Sequence, residues 1–190
     1  DLHSFPTRRS SDLLVVDAGS GDEVDGAVIA LYEKDDAGNF TPIERWVSVS
    51  GETHDFGDKL EAGHNYVLRE ITAPTGYGKV TTDIEISVSA DGKLTSSLQP
   101  STQDDGTFVY LIEDSAIRFN VNKTDVANGE ELDGAVLTVF EIDAAGNEKK
   151  IDSWTSAAGI THDFGTNLEP GKSYVLREET APTGYQKITT

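Results

Sequence analysis

One internal repeat constrains the fold more than any other feature of this 190-residue chain. Aligned without gaps at an offset of about 108 residues, 14–82 overlays 122–190, with about 38 of 69 positions identical. DGAV at Asp25–Val28 recurs at Asp133–Val136, and THDFG at Thr53–Gly57 recurs at Thr161–Gly165. The run from Tyr66 to Tyr77, containing YVLRE and TAPTGY, recurs from Tyr174 to Tyr185. A period this long is a whole domain rather than a solenoid unit, so the chain reads as beads on a string. The second bead stops where the first still has over thirty residues to run, so it is expected to be truncated at its C-terminus.

Within each copy the signals are those of strands. Val28–Tyr32 and Val136–Phe140 are rich in β-formers and lead into AGN turns at Ala37–Asn39 and Ala145–Asn147. Ile84, Ile86 and Val88 alternate with Asp83, Glu85 and Ser87 before the turn at Ala90–Gly92. EAG at Glu61–Gly63 and EPG at Glu169–Gly171 supply turn residues ahead of the Tyr66 and Tyr174 strands. No segment carries a convincing amphipathic-helix pattern. The reading is all-β, one β-sandwich per copy, with domains at 14–116 and 117–190.

Residues 1–13 stand apart. His3–Leu13, HSFPTRRSSDL, resembles the translation of a sequencing adapter, and the whole segment is expected to add no strand and to pack against nothing.

Composition narrows the function classes. A formal charge of −19 would be repelled by phosphate backbones and anionic membrane surfaces, which argues against nucleic-acid binding. A hydrophobic content of 36%, with six Tyr, seven Phe and two Trp, argues for packed cores rather than acidic disorder. No apolar run approaches a membrane span, and with no Cys neither disulfides nor thiolate metal sites are available. Any covalent staple must use other chemistry.

KTD at Lys123–Asp125, GEELDGA at Gly129–Ala135, WTS at Trp154–Ser156 and LEPGKSYVLREETAPTGY at Leu168–Tyr185 together resemble the Cna protein B-type, or SpaA-like, prealbumin-like repeat of Gram-positive surface adhesins and pilins. The resemblance runs through nearly everything after residue 13. It implies two tandem Ig-like sandwiches serving as stalk units of an extracellular, cell-wall-anchored protein. Their partners would be neighbouring repeats of the same chain, with a host or matrix protein as the alternative. In many members an isopeptide bond joins a first-strand Lys to a last-strand Asn or Asp, assisted by a Glu. No cofactor, no metal and no turnover of an external substrate is implied.

Strand parity bears on that chemistry independently. Ile117, Phe119, Val121 and Lys123 share one face, and Tyr174, Leu176 and Glu178 share another. A Lys and a Glu aimed inward are costly to bury unless paired or neutralised, and burial favours a neutral amine beside a protonated acid. A plain buried ion pair, or a Lys stem reaching past the sandwich end into solvent, satisfies the same pattern. The resemblance makes Lys123 the donor and Glu178 the assisting acid, with an acceptor expected beyond Thr190. In the first copy Glu70 matches Glu178 and Asp114 is the candidate acceptor, but Val15 stands where the second copy has Lys123. Neither copy holds all three groups.

Other features point elsewhere. His54 and His162 come one per domain, without ligand spacing, and are expected to be structural. The acidic loops at Asp22–Asp25 and Glu130–Asp133 lack the alternating ligands of a calcium loop and read as solvated turns. Nothing in the sequence sets two carboxylates across a cleft, and neither a Ser-His-Asp elbow nor a phosphate-binding Gly loop is present.

Overall fold

The computed structural model describes residues 12–102 and 108–188 and is all-β, divided into two compact units. Most of the segment 1–13 lies outside the described residues.

Unit 1 is built from two five-stranded sheets. The first has β1 (Asp12–Asp17) at its centre, between β4 (His54–Asp55) and β10 (Phe108–Ala116). β10 also pairs β9 (Pro100–Thr102) and β6 (Tyr77–Gly78). The second runs β3 (Phe40–Val47), β2 (Val28–Lys34), β5 (Asn65–Thr72), β7 (Ile84–Val88) and β8 (Leu94–Ser96). β1 and β10 pair in parallel, with Val15 opposite Ile112 and Asp17 opposite Asp114. Alternation then sends Leu13, Val15, Ile112 and Asp114 to one face. Leu14, Val16 and Val109 form a separate cluster on the other face, with Leu111 against it. Both faces of β1 are therefore covered, which explains its unbroken apolar run.

Unit 2 repeats this plan in fewer strands. β11 (Asn120–Val121) pairs β14 (His162–Asp163), and β12 (Val136–Ile142) lies between β13 (Glu148–Thr155) and β15 (Ser173–Thr180). The correspondence extends to irregularities. Bulges fall between Val28/Ile29 and Leu31/Tyr32 in unit 1, and at the matching places, Val136/Leu137 and Val139/Phe140, in unit 2. Trp46 pairs Ile29 and Trp154 pairs Leu137, again at matching positions. Among the described residues helix is limited to two three-residue 3-10 turns, Gly57–Lys59 and Gly165–Asn167.

The expectation that everything through residue 13 stands outside the fold needs correction at its last two residues. Leu13 is only 2% exposed, and Asp12 and Leu13 pair Asp55 and His54 as Asn120 and Val121 pair Asp163 and His162. Backbone pairing is indifferent to the origin of a side chain, and an apolar Leu at an inward position meets the requirement of the core.

Parity places the inward residues of β15 less deeply than expected. Leu68 is 1% exposed in unit 1, but its counterpart Leu176 is 39% exposed. β7 pairs β5 along Asn65–Leu68, and among the described residues no strand does this for β15. Phe119 is likewise half exposed, one ring face resting on Phe164 at 4.9 Å between centroids.

The turn after β14 depends on a close backbone approach. A Cβ on Gly165 would stand 2.1 Å from the Ile117 carbonyl oxygen, which no side chain can yield to. Gly165→Ala is expected to destabilise unit 2 by about 2 kcal/mol, as overpacking does. Urea unfolding followed through Trp154 measures it, and an unchanged midpoint would show that the approach is relaxed in solution.

Candidate functional site: a buried lysine and paired carboxyls

In unit 2 the chain leaves β11 and keeps its extended course through Lys123. The Lys123 carbonyl accepts from the Leu132 amide at 2.8 Å, and Thr124 bridges to Glu131. This fixes the backbone on both sides of the lysine, whose side chain turns inward. Lys123 Nζ lies 3.2 Å from Glu178 Oε1, with side chains 14% and 2% exposed. The other carboxylate oxygen, Oε2, accepts from the Ile188 amide at 2.7 Å. Glu178 sits beside the bulge at Val136/Leu137, which ends the regular pairing of β15 just past the acid. A buried pair of this kind is a weak source of net stability, but removing either partner leaves the other uncompensated.

Unit 1 has the same frame and different occupants. The Val15 carbonyl accepts from Val24 at 2.9 Å, and Val16 bridges to Glu23, as at Lys123 and Thr124. Glu70, 2% exposed, accepts the Val80 amide on Oε2 at 2.5 Å, as Glu178 does from Ile188. No cation stands at position 15: Val15 is 3% exposed and apolar. The remaining inward group is Asp114, fully buried, with neither carboxyl oxygen in a hydrogen bond of ordinary geometry. Burial, reinforced by the neighbouring charge of Glu70, pushes the Asp114 carboxyl up to about 7. Burial also raises Glu70, partly opposed by its bond from Val80.

The structure thus brings Lys123 to Glu178 and Asp114 to Glu70. The amides of Val80 and Ile188, which hold the acids, were not legible as site groups. A backbone donor leaves no side-chain signature, and the only trace is that TGY is followed, after one intervening residue, by Lys and a β-branched residue in both copies.

The histidines of THDFG have packing roles. His54 stacks on Trp46 at 4.1 Å and His162 on Trp154 at 4.0 Å, each beside an acid, Glu44 or Asp152. Among the described residues no three His, Cys, Asp or Glu cluster as a metal site. The acidic loops are more than solvated turns. Glu23 and Asp25 accept the amides of Gly51 and Ser50, and Glu131 and Asp133 accept those of Gly159 and Ala158. Each loop clamps a neighbouring turn, a use that no calcium-type spacing would reveal.

Two all-β units with matching bulges, each carrying one buried glutamate beside the first-strand site, define tandem prealbumin-like domains. The model of the SpaA prealbumin-like fold domain matches residues 10–102 and 117–190, and the chain belongs to that family. The matched span begins before Asp12, consistent with the strand found there. No curated protein matches the chain. Among solved structures, the pilus adhesin SpaC of Lactobacillus rhamnosus GG in its open conformation is similar at 20% identity and a TM-score of 0.47. That alignment covers 93% of this chain and 25% of the adhesin, so the chain spans about a quarter of it. A variant of the shaft pilin SpaA of the same organism aligns at 13% identity and TM-score 0.40, over 94% of this chain and 89% of the pilin. A streptococcal ancillary pilin aligns at 21% identity and TM-score 0.35, covering 94% and 55% respectively.

Proposed function

We propose that the chain is a stretch of stalk from an extracellular, wall-attached adhesin or pilin, its units acting as spacers between neighbouring repeats. The observation that carries this reading is the duplicated frame: one buried glutamate per unit, held by the same backbone amide, facing the same first-strand position. Duplication suits a rod, whereas a dedicated ligand site has no need to recur. In the acidic loops, the most obvious surface for a host protein, Glu23 and Glu131 are engaged by the amides of neighbouring turns.

The chemistry proposed for complete units is a single intramolecular condensation, not turnover. Lys123 passes its proton to Glu178, leaving a neutral amine beside a protonated acid. The amine nitrogen attacks the side-chain carbonyl carbon of a last-strand Asp or Asn. Glu178 donates to the carbonyl oxygen and then relays protons as water or ammonia departs, leaving an amide. In unit 1 the corresponding groups are Glu70 as the acid and Asp114 as the acceptor, with Val15 leaving the donor place empty of an amine.

An array of matrix proteins and glycans tests the spacer role. The expected result is no saturable binding by the folded chain. Saturable binding lost on Glu131→Gln in folded protein would replace the spacer with a ligand-binding module.

A further inference from the structure

Asp114 is the most deeply buried ionisable group among the described residues of unit 1, and none of the described residues packed around it supplies a countercharge. We infer that unit 1 has a built-in pH dependence: β1 and β10 hold together most tightly in acid and loosen as the pH rises towards neutrality. The cause is a pair of buried carboxyls with an apolar residue where a cation would neutralise them. This rests on the geometry of Glu70, Asp114 and Val15 and does not require Asp114 to act in any cross-link.

Among the described residues the groups facing Asp114 are few. From β5 comes Glu70, which adds negative charge. From β1 comes Asp17, opposite it in register, whose carboxylate accepts the amides of Gly19 at 2.7 Å and Ser20 at 2.9 Å. Past β6, Lys79 acts on Glu70 from an exposed position, where solvent screens it. On β10 itself the neighbouring Glu113 points outward into solvent. Asp114 is buried against a second carboxyl, Glu70, with no countercharge among the described residues. Its ionised form is therefore costly, and the folded state holds its proton well above the usual carboxylate range.

The direction follows from proton binding. The Asp114 value of about 7 in the folded unit lies above its ordinary 3.8, so between these values the folded unit holds a proton that the unfolded chain has released. The stabilisation is complete below about pH 4, falls as pH rises towards 7 and is flat above. One such proton changes the unfolding equilibrium about tenfold per pH unit within that window.

Hydrogen exchange of the full chain, expressed as protection factors corrected for the intrinsic rate, reads the effect strand by strand. Between pH 5 and pH 8 the amides of β1 and β10 are expected to lose about 100-fold in protection. Those of β12, whose unit pairs Glu178 with Lys123, serve as the internal reference. Asp114→Asn should remove the fall and bring protection at pH 8 up to the pH 5 level. Should that variant not fold, Val15→Lys places an amine at Asp114 and is expected to abolish the fall as well. Whether the amine pairs with the carboxyl as a cation or condenses with it, either outcome ends the titration of an unpaired buried acid. Equal protection of β1 and β10 at the two pH values overturns the inference. So does a fall of undiminished size in whichever of the two variants folds.

Discussion

Val15→Lys is expected to make the folded protein lighter by one water. By the 108-residue correspondence, position 15 faces Glu70 as Lys123 faces Glu178 at 3.2 Å, and Asp114 is the other group at that acid. A lysine there meets a carboxyl that burial keeps protonated up to about pH 7, and a neutral acid is the form an amine can attack. The Nζ–Cγ bond forms, the Asp114 hydroxyl leaves as water, and Glu70 carries the protons. The resulting amide would tie β1 to β10 across about 100 residues. By the chain-entropy model of cross-links this contributes on the order of 4–5 kcal/mol, taking the isopeptide as equivalent to a disulfide. The mechanical consequence is larger, because a domain whose first and last strands are joined cannot extend between them. Intact-mass spectrometry decides the matter. Glu70→Gln in the Val15→Lys background should restore the unmodified mass, and Asp114→Ala should do the same. An unmodified mass in folded Val15→Lys protein would remove Asp114 from the role of acceptor. A water loss that persists in Glu70→Gln would keep the bond and dismiss the acid.

Lys123→Met is expected to cost unit 2 about 3–5 kcal/mol, the penalty for leaving a buried charge without its partner. Glu178 is buried and takes its one backbone bond from Ile188, so without Lys123 its Oε1 faces the interior alone. Glu178→Leu alone should destabilise by a comparable amount, through Lys123. The double variant Lys123→Met/Glu178→Leu should recover most of the loss, because two apolar side chains of similar volume remove both desolvation penalties together. Denaturant titrations of the four proteins, with Trp46→Phe so that Trp154 reports unit 2, give the coupling directly. Additive losses in the double variant would mean that the two groups do not depend on each other in solution. The 3.2 Å contact would then have no energetic meaning.

The two experiments probe opposite halves of one design. Unit 2 has the amine and the acid; unit 1 has the acid and a carboxyl acceptor. Each is stable only if its buried polar groups find another answer to desolvation: an ion pair in unit 2, a retained proton in unit 1. That difference makes unit 1 the pH-sensitive member.

The sequence by itself determined the number of domains, their all-β class, the family and the inward direction of Lys123 and Glu178. These are consequences of short-range periodicity and of a repeat, and both are written in the order of residues. Alternation along one strand is enough to aim a side chain, because successive residues of a strand must face opposite ways. Tertiary structure decided what those side chains meet. That β1 begins at Asp12 follows from its pairing with β4 and β10, not from its composition. The burial of Asp114 follows from a parallel pairing between strands about a hundred residues apart, the second of which, β10, lies outside the residues that the family model matches. The exposure of Leu176, in a strand motif identical to that of buried Leu68, depends wholly on whether another strand lies alongside. The bulges that end β5 and β15 beyond their glutamates, and the amides of Val80 and Ile188 that grip them, are properties of backbone path. Local pattern fixes which way a residue points; only the closing of long loops fixes what it points at, and the energy of a buried charge depends on the second.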